Sequence, residues 1–237
     1  MVDDARAISF ERSTPWVADA ALSKVCLEDL TRDRVVRSVL DVGGGTGALG
    51  SQFLKVEPRP SVTVLDRSPH MLARVPRGCR TILADWVSAE GGHEFDTVLM
   101  RQFLHYTSAP EVALLHALEF MCDDALMYIG QLVAPSQASA DWVHAIGTYL
   151  DPGRSTVFTE RGLRDAVHGA GFGELVVRRF EYRESLQQWA ARLRVPLAPN
   201  PLPPKLRPSP DVVRELRLGA DHAISLTWLH LVVEAAA

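Results

Sequence analysis

Short apolar runs rich in valine, isoleucine and leucine recur at residues 39–42, 62–65, 81–83, 97–100 and 126–133. Runs of this length without polar alternation predict strands buried on both faces. Between them lie stretches with helical spacing, at 49–56, at 71–75 and from Pro110 onward. In the last of these Ser108 and Glu111 stand at capping-box spacing, and Val112, Leu115 and Leu118 repeat at helical intervals. Strand and helix in alternation predict an α/β fold, a doubly wound, mostly parallel sheet with helices on both faces.

The C-terminal part changes rhythm. A helix is expected over about 161–168, then a stop at Gly169-Ala170-Gly171-Phe172, then a strand over about 174–182 in which Leu175, Val177 and Phe180 alternate imperfectly. A final strand is expected over about 222–233. The roughly 40 residues between these two strands carry a helix around 186–194, a proline-rich passage over 196–210 and a helix around 211–218. That is far longer than an ordinary connection and marks an insertion. Ahead of the first strand, Ile8, Phe10, Trp16, Val17, Leu22, Val25 and Leu30 predict one or two amphipathic helices capping the ligand edge of the sheet.

Composition narrows the class. The 237 residues are 47% hydrophobic and 23% charged with a net charge of −4, and the arginines are scattered among acids. Duplex nucleic acid is a poor partner for such a surface. Cys26, Cys79 and Cys122 are widely spaced in apolar surroundings, which suits reduced thiols and a cytoplasmic protein. Neither a signal peptide nor a membrane span is expected, since no apolar run approaches the required length.

The candidate chemistry begins at Asp41-Val42-Gly43-Gly44-Gly45-Thr46-Gly47, where a strand runs into a glycine turn and then a helix. Such a turn lets a ligand touch backbone directly. Gly45, Gly47 and Gly50 satisfy the dinucleotide spacing, and Asp66 follows Gly45 by 21 residues, about where a ribose-binding acid belongs. By themselves these features leave a nicotinamide cofactor open. A pyrophosphate, however, wants no anion nearby, whereas the carboxylate of Asp41 suits a cationic ligand.

Here the sequence resembles the class I S-adenosylmethionine-dependent methyltransferases. The turn matches their first motif, and Val62-Thr63-Val64-Leu65-Asp66 matches their second strand with its ribose-binding acid. Leu83-Ala84-Asp85-Trp86 resembles the third-strand segment, and Phe95-Asp96-Thr97-Val98-Leu99-Met100 the fourth. Asp66-Arg67-Ser68-Pro69-His70-Met71-Leu72 is similar to wording found in the branch that includes quinone methyltransferases. The resemblance runs over about 35–182. It implies a Rossmann-like, seven-stranded sheet with an antiparallel last strand, S-adenosylmethionine as cofactor, and cofactor contacts from Asp41, Gly43, Gly45, Asp66, Arg67, Asp85, Trp86 and Arg101. The chain then divides into an N-terminal helical cap (1–34), a cofactor-binding core (35–183), a helical proline-rich insertion (184–221) and the last strand (222–237).

Methyl transfer is an in-line displacement, for which a protein supplies alignment, desolvation and a base. Ligands in this architecture lie beyond the carboxyl ends of the strands, so the segment after the fourth strand, Arg101-Gln102-Phe103-Leu104-His105-Tyr106, is where a base should project. His105 is the candidate. Leu104-His105-Tyr106-Thr107 also resembles the segment of small-molecule O-methyltransferases whose histidine is the general base, although those enzymes carry a long N-terminal dimerisation domain, whereas only about 38 residues precede the first strand here. Gln102 is a secondary candidate. No metal-ligand spacing is present, so no metal is expected.

Phe10, Trp16, Tyr106 and Trp142, with the insertion around Trp189 and Leu193, are the candidate acceptor contacts. Together these features predict methylation of a small molecule, on a hydroxyl of a secondary metabolite. N- or C-methylation, and a cyclase of the same fold that holds the cofactor without spending its methyl group, are the alternatives. A homodimer is compatible with the sequence.

Overall fold

The computed structural model describes residues 14, 17, 19–151, 153, 156–193, 195, 202, 204–219 and 223–236. Strands β1 (Ser38–Val42), β2 (Ser61–Asp66), β3 (Cys79–Leu83), β4 (Phe95–Arg101), β5 (Met121–Ala134), β6 (Phe158–Thr159), β7 (Phe172–Ser185) and β8 (Ala223–Ala235) form one sheet in the order β3-β2-β1-β4-β5-β8-β7, with short β6 beside β5. The strands from β3 to β5 pair in parallel, and β8 runs antiparallel to both β5 and β7. This is the expected Rossmann-like sheet with its antiparallel last strand; β6 brings the strands to eight.

Helices α1 (Ala20–Thr31), α2 (Pro69–Leu72), α3 (Pro110–Ala117), α4 (Gln137–Leu150), α5 (Glu160–Gly169), α6 (Leu186–Leu193) and α7 (Pro210–Glu215) cover the sheet. On one face Leu40, Leu65, Val98 and Met127 pack under Leu114, Leu163 and Val167. On the other, Cys26 and Leu30 of α1 meet Val39, Leu99 and Tyr128. Each fully buried leucine or valine contributes about 1.5–3 kcal/mol, so these two layers are the main source of stability. A third cluster joins α4 to the insertion through Trp142, Leu186, Trp189, Leu206 and Leu216.

Several local expectations change. The run at 81–83 is not buried on both faces: β3 is an edge strand, and its link to β4 contains only the 3-10 turn Trp86–Ser88, leaving Leu83 61% exposed. The helix after β1 is a 3-10 helix, Gly50–Lys55. Ser108 does not cap α3, whose N-cap is Ala109 followed by Pro110. The faulty alternation in β7 reflects a register shift between Glu174 and Val176. α1 lies on a sheet face instead of the ligand edge, and of the described N-terminal residues it is Val17 that reaches the cavity above that edge.

Candidate functional site

A cavity of about 1220 Å³ opens above the carboxyl ends of β1, β2 and β4. Its floor is the glycine turn. Gly43 has φ +61° and a Cβ there would fall 2.4 Å from the ring of Phe103, so both backbone conformation and space demand glycine. Gly44 and Gly50 are held small by Asp41, whose carboxyl group a Cβ on either would strike.

Asp41 lines the cavity but is only 2% exposed, and its Oδ2 accepts the Gly50 N–H at 2.8 Å. Burial pushes this carboxyl up to about 6, against the pull of the Arg101 guanidinium and the Gly50 bond. Asp66, at the end of β2, accepts the Gly45 N–H on Oδ2 at 2.9 Å and the Ser68 N–H on Oδ1 at 2.8 Å. Its carboxyl is also raised, again by burial. One acid therefore ties the glycine turn to the start of α2 while facing the cavity, and each of its oxygens has a second lone pair to offer a ligand.

Asp85 and Trp86 line the same cavity. Asp85 caps the 3-10 turn through Val87 N–H at 3.2 Å. Trp86 is 4% exposed; its indole N–H donates to Ala113 O at 3.0 Å and its ring stacks on Phe120, so most of it is core. Arg67 and Arg101 also contribute to the lining.

The other end of the cavity holds His105 and Tyr106, on the 3-10 turn Leu104–Tyr106 that follows β4. Because β5 continues beyond its last pairing with β4, at Arg101 and Gly130, the next residue Gln131 reaches under that turn. The Gln131 amide Nε2 lies 3.2 Å from His105 Nδ1, and both side chains are buried. Tyr106 is half in the cavity mouth, its hydroxyl donating to Asp151 Oδ2 at 3.2 Å. Gln102 holds φ +53°, an uncommon conformation for a side-chain-bearing residue, and its buried Nε2 makes no hydrogen bond among the described residues.

Trp142 is not brought to the cavity. It packs in the α4 cluster with its indole N–H on Leu206 O at 2.9 Å, because its face of α4 turns toward the insertion. Phe10 and Trp16 lie outside the described residues. Pattern reading missed Val112 and Leu115, which line the cavity at 55% and 46% exposure instead of facing the core, and also Gln131 and Arg192. The missed signal in α3 was its neighbours Ala113, Leu114 and Ala117, which supply the buried face.

A model described as a methyltransferase domain matches residues 18–176, two-thirds of the chain and every strand up to the middle of β7. The chain belongs to this methyltransferase family. The enzyme is thus a class I S-adenosylmethionine-dependent methyltransferase, as its glycine turn and strand-end acids indicate. No curated protein sequence matches it. Among solved structures, a putative methyltransferase from Bacillus halodurans superposes with TM-score 0.75 at 12% identity, covering 91% of this chain and 99% of that one. The 1,6-didemethyltoxoflavin N1-methyltransferase of Burkholderia thailandensis, solved with 1,6-didemethyltoxoflavin and S-adenosylhomocysteine, gives 0.57 at 18% identity over 99% and 88%. The cyclase SpnF gives 0.61 at 16% identity over 92% and 82%. At these identities the likeness is one of fold.

The residues present fit the family's cofactor. The turn exposes backbone that only glycine allows, Asp66 offers carboxylate lone pairs beside it, and the buried Asp41 carboxyl gains from a nearby cation. Asp66 and Gly43–Gly45 would hold the ribose and methionyl part, with Asp85 and the edge of Trp86 toward the adenine.

Proposed function

We propose that the enzyme methylates a hydroxyl of a small, largely apolar molecule, with His105 as general base. The observation that carries this reading is the placement of His105: it lines the same cavity as Asp66 and the glycine turn, and its Nδ1 is held from behind by a buried amide. S-adenosylmethionine supplies a methyl carbon activated by its sulfonium. The chain supplies the rest.

In the neutral imidazole only one nitrogen carries a proton. With Gln131 Nε2 toward Nδ1, Gln131 Oε1 is buried without a hydrogen-bond partner among the described residues. A half rotation of the amide would place Oε1 to accept the Nδ1–H, leaving the His105 Nε2 lone pair as the base. His105 Nε2 then takes the hydroxyl proton of the acceptor. Phe103, Val112 and Leu115 give the cavity apolar surface that an apolar acceptor would cover on binding.

The test begins with calorimetric titration of S-adenosylhomocysteine. Asp66→Ala should weaken binding by about 1.5–3 kcal/mol, the range for hydrogen bonds to a charged group. Acceptor screening then follows S-adenosylhomocysteine release. Turnover that persists unchanged in His105→Ala would sink the base assignment.

A further inference from the structure

Part of the cavity wall is built by the insertion. Trp189, Arg192 and Leu193 of α6 all line it, and positions three and four apart share a helix face. Arg192 is an unusual wall residue because it is 9% exposed. It is bound to Glu184, 5% exposed, through both terminal nitrogens, Nη2 lying 3.0 Å from Oε2, and Tyr182 donates its hydroxyl to the same Oε2 at 2.9 Å. A buried ion pair is a poor way to stabilise a fold, since apolar residues of similar volume generally do as well or better. Its occurrence in a cavity wall therefore points to recognition.

The charge balance says of what. Glu184 neutralises Arg192, and along the described lining carboxylates outnumber guanidinium groups. The wall thus offers polar N–H character without net positive charge, which disfavours a phosphorylated or carboxylated acceptor. Beside it stands Trp189, which is 6% exposed and packs mostly in the α4 cluster but adds aromatic surface to the cavity lining. α6 also lies outside residues 18–176, the stretch that the family model matches.

We propose that Arg192, held by Glu184 beside Trp189, is an acceptor subsite for a neutral flat ring that carries a carbonyl oxygen next to its methylatable hydroxyl face. The subsite rests on the methyltransferase reading above. It gives the enzyme a carbonyl-bearing hydroxyaromatic as substrate class.

Calorimetry separates the two readings. Titration of the wild type with S-adenosylhomocysteine tests the cofactor reading alone, and its failure would remove both. The saturated protein is then titrated with quercetin, which has a ring carbonyl, with catechin, which lacks it, and with phosphocholine. Quercetin should bind at least about tenfold more tightly than catechin, because a site built to donate hydrogen bonds rejects a ligand that leaves them unmade. Phosphocholine should not bind.

Arg192→Met alone strands the Glu184 carboxylate and is expected to destabilise the fold, so the deciding variant is Glu184→Leu with Arg192→Met, which removes both charges and keeps the volume. It should retain S-adenosylhomocysteine affinity and bind the two polyphenols equally. A quercetin preference that survives the double substitution, a saturated wild type that binds neither polyphenol, or a preference for phosphocholine would each overturn the subsite.

Discussion

Gln131 Nε2 lies 3.2 Å from His105 Nδ1, and neither side chain is open to solvent. A neutral amide in this place holds the imidazole without adding charge, unlike a carboxylate. His105→Ala is expected to lower kcat by about 10²–10⁴-fold, the usual contribution of a general base. Gln131→Leu should forfeit part of the same factor. Gln131→Glu tests the geometry more sharply, since a carboxylate beside the ring favours the imidazolium and raises its pKa. The rising limb of the pH profile of kcat/KM should then move to higher pH; an unmoved profile would show that residue 131 does not act through His105.

Asp41 gives cofactor binding a pH dependence of its own. Burial lifts its carboxyl from 3.8 to about 6, so below that value the acid is protonated and a ligand bearing an ammonium must displace the proton. The affinity for S-adenosylhomocysteine should fall as pH drops through about 6, approaching tenfold per unit, and Asp41→Asn should flatten the curve. Asp66, also raised by burial, titrates in the same direction.

Acid stability should depend on a cluster remote from the cavity. His230, fully buried on β8, lies 3.1 Å from Asp29 of α1, and Asp29 makes a bidentate pair with Arg178 of β7. Burial pushes the imidazole from 6.5 down to about 4, with Asp29 opposing. Between those values the unfolded chain binds the proton and the folded one does not, so this group's contribution is intact above about 6.5 and is lost as pH falls toward 4. Asp29, lowered chiefly by its bonds to Arg178, adds stability that is lost at still lower pH. Asp41 acts with the opposite sign, losing stability as pH rises from 3.8 to about 6. Comparison of thermal midpoints between wild type and His230→Leu isolates the histidine: the acid-side fall should be shallower in the variant.

Trp142 should behave as structure and not as substrate contact. Trp142→Phe removes the bond to Leu206 O and is expected to cost about 1 kcal/mol of stability, read by denaturant unfolding. The acceptor KM should stay unchanged. A raised KM with unaltered stability would return the residue to the binding surface.

The sequence by itself determined the strand runs, the sheet class and the cofactor end of the cavity. Those features are local: a strand, a glycine turn and an acid one strand later are set by backbone conformation and short spacing, and Gly43, Asp41 and Asp66 stand in register as soon as β1 and β2 pair. His105 was legible for the same reason, lying just past the end of β4. Its partner was not, because Gln131 is 26 residues away and meets it only where β5 outruns β4. The acceptor wall was decided wholly by tertiary packing. Trp142 and Trp189 both read as aromatics on amphipathic helices and both pack into one buried cluster, and only the docking of α6 and α7 against α4 brought Trp189, and not Trp142, to the cavity wall as well. Periodicity reports that a helix has an apolar face; it carries no information about whether that face meets a protein core or a ligand, since both remove it from water.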